Sequence, residues 1–185
     1  MSFSSTIDDT TLVALQRHCR QAQERVYRQY GSAAWTLALR LGGCEAGAWD
    51  ATQAAFLRAF ERVVQLQNRE RFGPWLRRIV VNEVMDGGRR KLLPLPSPFE
   101  ESAEGGDGAL GLDLERALER LEQRDRAVLW LYDVEGMTHA EIAAALNRSV
   151  PWSKTRLSRA RARMRELLGA HRVQETQGRA LDHGH

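Results

Sequence analysis

Cysteine is scarce in this sequence, because its 185 residues include only two, Cys19 and Cys44. Neither lies in a Cys-x-x-Cys pair, and no cysteine and histidine stand at the spacing of zinc ligands, so a zinc framework is excluded. We therefore expect no metal and no cofactor. Both cysteines are predicted to pack in helices as small hydrophobic side chains, with a single redox-active disulfide as the alternative.

Long apolar runs are also missing. The longest is residues 127–132, far below the roughly 20 residues that a membrane-spanning helix requires. Residues 1–9 are polar and slightly acidic, without the basic and then apolar order of a secretion signal. These features predict a cytoplasmic protein that does not insert into a membrane.

Patterns typical of enzymes are absent from the sequence as well. It has no glycine-rich phosphate loop and no nucleophile elbow. His18, His139 and His171 have no partners at catalytic spacing, and we expect them to be exposed helix residues. The sequence therefore predicts a protein that is not an enzyme, with no catalytic residues and no small-molecule substrate.

The 27 lysines and arginines nearly balance the 24 aspartates and glutamates, but the two signs of charge are segregated along the chain. Residues 100–125 hold nine acidic and three basic side chains, whereas residues 148–172 hold eight basic and one acidic. A basic block in an almost neutral chain indicates an anionic partner for that block.

Proline and glycine are concentrated in one segment. Three of the five prolines and four glycines fall in residues 92–112, which we predict to be a flexible linker. The chain on either side has helical periodicity, so the predicted fold is all-α, with two small helical domains at residues 1–91 and 113–168. Residues 169–185 are predicted to be a polar tail that is disordered or depends on a partner.

The first domain should contain four helices. Apolar residues recur at steps of three and four from Leu12 to Tyr30, which predicts one continuous helix. A polar loop is expected at residues 65–71, and lysine and arginine cluster from there to residue 91, near Phe72 and Trp75. Such a mixture favours single-stranded nucleic acid as the ligand, although the two rings are more typical of a hydrophobic core. The other helices are predicted at residues 35–41, 48–64 and 72–90.

The second domain has the pattern of a helix-turn-helix. Thr138 and Glu141 have the spacing of a capping box at the start of a short helix. After a turn at residues 147–149, Pro151 opens a basic helix that should end near Leu168.

This basic helix has two distinct faces. Five apolar side chains fall on about one third of its circumference and predict a buried stripe. The opposite side and the N-terminal end carry side chains that could contact duplex DNA, where an arginine can bind a guanine or a phosphate bidentately. A basic face that is only solvated is the alternative. The candidate contacts are Trp152, Lys154, Thr155, Arg156, Arg159 and Arg163.

Both halves of the chain resemble the extracytoplasmic-function sigma factors of bacterial RNA polymerase. Residues 50–60 are similar to the family's D-x-x-Q-x-x-F-x-x-x-F helix, and residues 72–90 to its F-x-x-W-L-x-x-I-x-x-N-x-x-x-D-x-x-R-R segment. Residues 136–143 and 154–160 are similar to its promoter-binding helix-turn-helix. The motifs occur in the family's order and at its linker length.

The resemblance implies a region 2 that recognises and melts the −10 promoter element, and a region 4 that reads the −35 element as duplex. The candidates on the basic helix would contact −35 DNA. An anti-sigma factor is implied as a partner, and RNA polymerase core would bind Asp50, Gln53, Phe56 and Leu57. The residues that would contact −10 DNA are Gln67, Asn68, Arg69, Arg71, Trp75, Arg78, Asn82, Arg89 and Arg90.

Several positions depart from the family pattern. Trp152 and Ser153 replace the family's usual threonine and valine, and Glu122 replaces a frequent proline. We expect Trp152 to alter the −35 preference, and Ser153, on the buried face, to hydrogen-bond to its own helix. Glu122 is expected only to lengthen a helix.

A transcription repressor or response-regulator output protein that binds operator duplex without polymerase is the alternative function. It accounts for the helix-turn-helix but not for the patterns at residues 50–60 and 72–90. A sigma factor should need core polymerase for tight promoter binding, whereas a repressor should not.

Overall fold

The computed structural model describes residues 3–87 and 108–181, and every regular element in these ranges is helical. The prediction of an all-α protein is confirmed. The chain divides into two compact units, Met1–Glu100 and Glu101–His185, which we call the first and the second unit. Most of the predicted linker lies outside the described residues.

Four α-helices and two short 3-10 turns build the described part of the first unit. The turns, Val63–Gln65 and Arg69–Arg71, lie between the third and fourth helices. The helices are α1 (Asp9–Gln16), α2 (Arg20–Gly42), α3 (Glu45–Arg62) and α4 (Phe72–Asp86). Helices α2, α3 and α4 pack on one another, and α1 packs on α2.

Aromatic side chains join the helices of the first unit. Tyr30 of α2 is fully buried, and its ring centroid is 6.4 Å from that of Phe3 and 5.4 Å from that of Phe72. Tyr27 of α2 meets Phe56 of α3 edge to face at 4.8 Å. Ring pairs at such distances add to the free energy gained by burying the side chains themselves.

The helix predicted to run from Leu12 to Tyr30 is broken in two. His18 has a positive φ of 56°, which does not continue a helix, and Cys19 is the N-cap of α2. Cys19 and Cys44, the N-cap of α3, are both exposed free thiols. The prediction that they pack in helices is therefore wrong, because an N-cap flanks the helix and does not belong to its buried stripe.

The residues before α1 pack against α2 and α4. Phe3 and Ile7 are buried, and the Tyr30 hydroxyl donates a hydrogen bond of 2.5 Å to the Ser5 carbonyl. The backbone of Phe3 also lies directly against Gly73 at the start of α4. This N-terminal segment is therefore part of the first unit's core.

Asp8 is the N-cap of α1. Its carboxylate accepts hydrogen bonds from the Thr10 hydroxyl at 2.7 Å and from the Thr11 amide at 2.6 Å. These hydrogen bonds, that of the Thr10 hydroxyl above all, lower the pKa of Asp8 from 3.8 to about 2. The charged carboxylate thus stabilises the folded form.

We expect stability to fall as the pH falls from about 4 to about 2, and to fall less in Asp8→Asn. A carboxyl whose folded pKa is lowered contributes stability above its unfolded pKa and loses it as the pH drops through the folded value. Asparagine keeps the cap but does not titrate. Thermal unfolding of both proteins across this pH range is the measurement, and parallel curves of Tm against pH would contradict the expectation.

The described part of the second unit contains four helices, and the last of them packs on the other three. They are α5 (Gly108–Glu119), α6 (Gln123–Asp133), α7 (His139–Ala145) and α8 (Val150–Leu181). Ala117 and Leu121 meet Ala160 and Met164 of α8 in one buried cluster. Helix α8 is therefore both the longest element and the support of the other three.

Two helices of the second unit are longer than predicted. Helix α5 begins at Gly108, so residues 108–112 are helical and not part of a linker. Helix α8 continues to Leu181 and does not end near Leu168, so most of the predicted tail is helical. A single glycine in a helix costs only about 1 kcal/mol, and the leucine, alanine and glutamine residues nearby favour the helical state.

Candidate nucleic-acid interface

Helix α7 and the first turns of α8 form the predicted helix-turn-helix. The Thr138 hydroxyl accepts from the Glu141 amide at 3.2 Å, and the Glu141 carboxylate accepts from the Thr138 amide at 2.8 Å, so the predicted capping box is confirmed. Asn147 has a φ of 51°, in the left-handed region that asparagine tolerates better than most residues. This conformation turns the chain between α7 and α8.

Helix α8 has a buried and an exposed face, as its periodicity predicts. Leu157, Ala160 and Met164 are buried. Arg163 forms an ion pair of 2.9 Å with Glu166, which contributes little at such an exposed position and could give way to a phosphate. The exposed candidates for DNA contact are Lys154, Thr155, Arg159 and Arg163.

Arg156 differs from these residues because its side chain forms ion pairs with carboxylates of the second unit. Its Nη1 atom donates to the Asp125 carboxylate at 2.9 Å and to the Glu122 carboxylate at 2.7 Å, and 19% of its side chain is exposed. The hydrogen bonds to Asp125 and then Glu122 raise the pKa of Arg156. A direct contact of Arg156 with DNA, as predicted, would have to replace these two carboxylate partners.

Trp152 lies half-buried in the first turn of α8, beside two arginines. The guanidinium carbon of Arg156 is 5.6 Å from the centroid of the Trp152 ring, and that of Arg148 is 5.9 Å away. Both distances are those of cation–π contacts. Sequence reasoning did not single out Arg148, because it lies in the turn before α8, where helical spacing does not apply.

Ser153 and His139 join α8 to α7. The buried Ser153 hydroxyl lies 3.1 Å from Nδ1 of His139, and the His139 ring stacks on Tyr132 with centroids 4.6 Å apart. Ser153 thus has a partner on another helix, where a bond to its own helix was expected. His139, expected to be exposed, is half-buried by this stacking.

The polar loop of the first unit, residues 65–71, is held in place by α1. Gln16 Nε2 donates a hydrogen bond of 3.0 Å to the Leu66 carbonyl, and Arg69 forms an ion pair with Asp9. The partners in these two contacts are 50 and 60 residues apart in the sequence. The loop is therefore ordered by the N-terminal helix as well as by its own turns.

Gln67 and Asn68 are exposed between the two 3-10 turns of this loop. The Asn68 side-chain oxygen accepts from the Glu70 amide at 2.8 Å and so caps the second turn. The loop thus presents two neighbouring side-chain amides to solvent. Amides can both donate to and accept from the edge of an unpaired base.

Phe72 and Trp75 have different positions at the start of α4. Phe72 is fully buried against Tyr30, so the reading of this ring as a core residue is correct. Trp75 is half-buried, with its ring centroid 5.8 Å from that of Phe72. Of the other residues predicted to contact −10 DNA in this segment, Arg71 and Arg78 are exposed and Asn82 is half-buried. Arg89 and Arg90 lie outside the described residues.

One face of α3 leaves a large apolar side chain in solvent. Leu57 is 63% exposed, and it shares a face with Asp50 and Gln53, which lie at spacings of three and four residues along the helix. Phe56 is only 3% exposed and packs on Phe60 at 5.8 Å. The prediction that Phe56 itself touches a partner is corrected, because its ring has almost no surface to offer.

The described part of the chain holds no group of three or more histidine, cysteine, aspartate or glutamate side chains placed to bind a metal ion. Among the helices within residues 3–87 and 108–181, none combines the length and the hydropathy needed to cross a bilayer.

Two family matches cover the two units. Residues 26–92 match Sigma-70 region 2, and residues 111–164 match Sigma-70, region 4. The ECF RNA polymerase sigma factor SigE of Mycolicibacterium smegmatis is 33% identical over 187 residues, which cover 95% of this chain and 69% of SigE. The ECF RNA polymerase sigma factor SigM of Mycobacterium tuberculosis is 30% identical over 154 residues, 81% of this chain and 79% of SigM.

Solved structures have the same fold. A structure of CnrH in complex with the cytosolic domain of CnrY is 26% identical, with a TM-score of 0.59 over 87% of this chain and 96% of the solved chain. The sigma factor RpoE from Bartonella quintana, solved with the anti-sigma factor NepR, is 23% identical and has a TM-score of 0.61 over 79% and 96% of the two chains.

The helical fold in two units and the two matched regions define a sigma factor, a DNA-binding factor of transcription initiation. A repressor would account for the second unit alone, so the match over residues 26–92 excludes that alternative. The chain belongs to the sigma-70 family, in its extracytoplasmic-function group, and acts as an alternative sigma factor.

Proposed function

We propose that α8 reads the −35 promoter element as duplex DNA in the major groove. One observation carries this proposal: four side chains with hydrogen-bonding groups are exposed on α8 away from its buried stripe, next to a capped helix-turn-helix. An arginine in this position can bind guanine O6 and N7 together, which contributes about 1–3 kcal/mol of discrimination between bases. The proposed −35 contacts are Lys154, Thr155, Arg159 and Arg163, with Trp152 beside them.

The loop of residues 65–71 would hold a base of the −10 element once the strands have separated. Gln67 and Asn68 would face the edge of the base, and Trp75 offers a partly exposed ring for stacking. Unstacking a base step costs a few kcal/mol, which these contacts and nearby arginines must offset. The further proposed −10 contacts are Arg69, Arg71, Arg78, Asn82, Arg89 and Arg90.

The face of α3 that carries Asp50, Gln53 and Leu57 would dock on RNA polymerase core. An exposed leucine among polar residues on one helix face is typical of helices that bind a partner. Docking would bury Leu57 and bring both units to the promoter with the polymerase.

An anti-sigma factor is the proposed regulator of this protein. The support is the similarity in fold to the sigma factor RpoE from Bartonella quintana, which was solved in complex with the anti-sigma factor NepR. A regulator of this kind would compete with promoter DNA or with polymerase for one of the surfaces described above, and so keep the protein inactive.

Transcription from a promoter library with purified RNA polymerase core tests the proposed function. We expect initiation that requires both core and this protein, at promoters that share −10 and −35 elements. Arg159→Ala should lower use of these promoters about tenfold, which corresponds to one lost base or phosphate contact of about 1.4 kcal/mol.

The matched control is Arg165→Ala, because Arg165 is also exposed on α8 but lies about 120° round the helix from Arg159. Its effect on promoter use should be small. Equal effects of the two substitutions, or tight binding of promoter duplex in the absence of core, would contradict the proposal.

A further inference from the structure

Two residues that depart from the family pattern, Glu122 and Trp152, meet the same side chain. Glu122 is the N-cap of α6, and Trp152 lies in the first turn of α8. Arg156 contacts both: its Nη1 atom is 2.7 Å from the Glu122 carboxylate, and its guanidinium carbon is 5.6 Å from the centroid of the Trp152 ring. A residue of the turn before α6 is thereby connected to the outer edge of the proposed DNA-reading helix.

Arg156 is fixed more firmly than an ordinary surface arginine. Asp125, in the first turn of α6, accepts a second hydrogen bond from the same Nη1 atom at 2.9 Å. Charge-assisted hydrogen bonds to two carboxylates hold a guanidinium in one orientation, and 19% of the Arg156 side chain is exposed. The planar guanidinium therefore provides a fixed surface against which the Trp152 ring can rest.

We propose that Arg156 is a positioning residue for −35 recognition, and that Glu122 acts on −35 selection through it. In this arrangement Arg156 does not read a base. It holds the Trp152 indole in one orientation at the N-terminal end of α8, where the ring contacts a thymine methyl group or the sugar edge of the −35 duplex. This inference rests on the proposed function of α8.

Recognition through Trp152 and direct reading of a base by Arg156 predict different effects of a substitution at Glu122. If the orientation of Trp152 sets the preference, removing the Glu122 carboxylate must alter the ranking of −35 sequences although Glu122 lies on another helix. Removing Glu122 must also have no further effect once the indole is gone, because its influence passes through that ring.

The experiment is a double-mutant cycle of Glu122→Gln and Trp152→Thr in the full chain bound to RNA polymerase core. Binding to a panel of duplex promoters that differ only in the −35 element gives a ranking for each variant. We expect each single substitution to change the ratio between the best and the other −35 sequences at least about threefold, in the same direction. The double variant should match Trp152→Thr.

The matched control is Asp133→Asn, because Asp133 also pairs with an arginine of α8, Arg161, and its loss changes the net charge by the same amount as Glu122→Gln. It should tighten binding to all −35 sequences by a similar factor and leave their ranking unchanged. Circular dichroism of each variant checks that the helices remain.

Three results would overturn the inference. One is a Glu122→Gln ranking that is the same as that of Asp133→Asn. Another is a double variant whose effects are the product of the two single ones. A third is an Arg156→Ala variant that loses discrimination at a base pair where Trp152→Thr keeps it, since Arg156 would then read DNA itself. A wild-type holoenzyme without any −35 preference is a different result, because it would refute the proposed function of α8 as well.

Discussion

Gly73→Ala is expected to destabilise the first unit by about 3 kcal/mol, at the upper end of the usual cost of overpacking. A Cβ atom built at Gly73 would lie 2.0 Å from the carbonyl oxygen of Phe3 and 3.0 Å from its carbonyl carbon. The obstacle is backbone, so no side-chain rotation can relieve the contact. Either α4 must move or the N-terminal segment must leave its place, and with it the buried side chains of Phe3 and Ile7.

Calorimetry of the full chain should show a fall in Tm of more than about 10 °C for the first unit in this variant. Gly169→Ala is the control, because a Cβ at Gly169 meets no atom within 4 Å and alanine is the better helix former. That variant should be as stable as the wild type or slightly more stable. A Gly73→Ala protein that unfolds at the wild-type temperature would show that the Phe3 backbone does not occupy this position.

Gly73→Ala should also affect the residues proposed to contact the −10 element. The segment that Gly73→Ala would displace leads directly into α1, and α1 holds the loop of residues 65–71 through Gln16 and Asp9. Loosening the N-terminal segment should therefore loosen the loop as well. The first unit thus couples its own stability to the shape of the surface proposed to hold a −10 base.

Features that depend on neighbours in sequence were predicted correctly. The capping box of Thr138 and Glu141 needs only four consecutive residues, and the buried stripe of α8 follows from its periodicity. Helix type and helix face are local properties, so the sequence contains the information.

Features that depend on distant residues were missed. The partners of Arg156 lie 34 and 31 residues away, and nothing in the pattern of α8 distinguishes this arginine from Arg159. The same holds for Arg69, whose partner Asp9 is 60 residues away. The partners in these ion pairs come from other helices that the fold brings close. A sequence can therefore locate the basic face of α8, but not which of its arginines are paired within the protein and which are available to DNA.

The break at His18 was missed for a different reason. Apolar residues continue with helical spacing across it, so periodicity alone favours an unbroken helix. The left-handed conformation of His18 ends α1: the His18 amide donates to the Leu15 carbonyl and the Cys19 amide to the Ala14 carbonyl, each at 2.9 Å, as in a Schellman motif. Cys19 consequently became an exposed N-cap, although its spacing matched the buried stripe.

Leu57→Asp is expected to weaken binding to RNA polymerase core about thirtyfold, which corresponds to about 2 kcal/mol for a central interface residue. Leu57 is 63% exposed on α3. Docking of the α3 face on core would remove this apolar surface from water, so Leu57 would contribute to the affinity. A carboxylate in that contact would be desolvated without a counter-charge.

The control for this substitution is Val13→Asp, because Val13 is another exposed apolar residue of the first unit, 45% exposed, but lies on α1. Both variants should unfold at nearly the wild-type temperature, since neither side chain contributes to the core. Affinity for core, measured with purified polymerase, should fall for Leu57→Asp and stay near wild type for Val13→Asp. Equal losses would mean that added negative charge, and not the α3 face, governs docking, while a Leu57→Asp protein that binds core normally would remove α3 from the proposed interface.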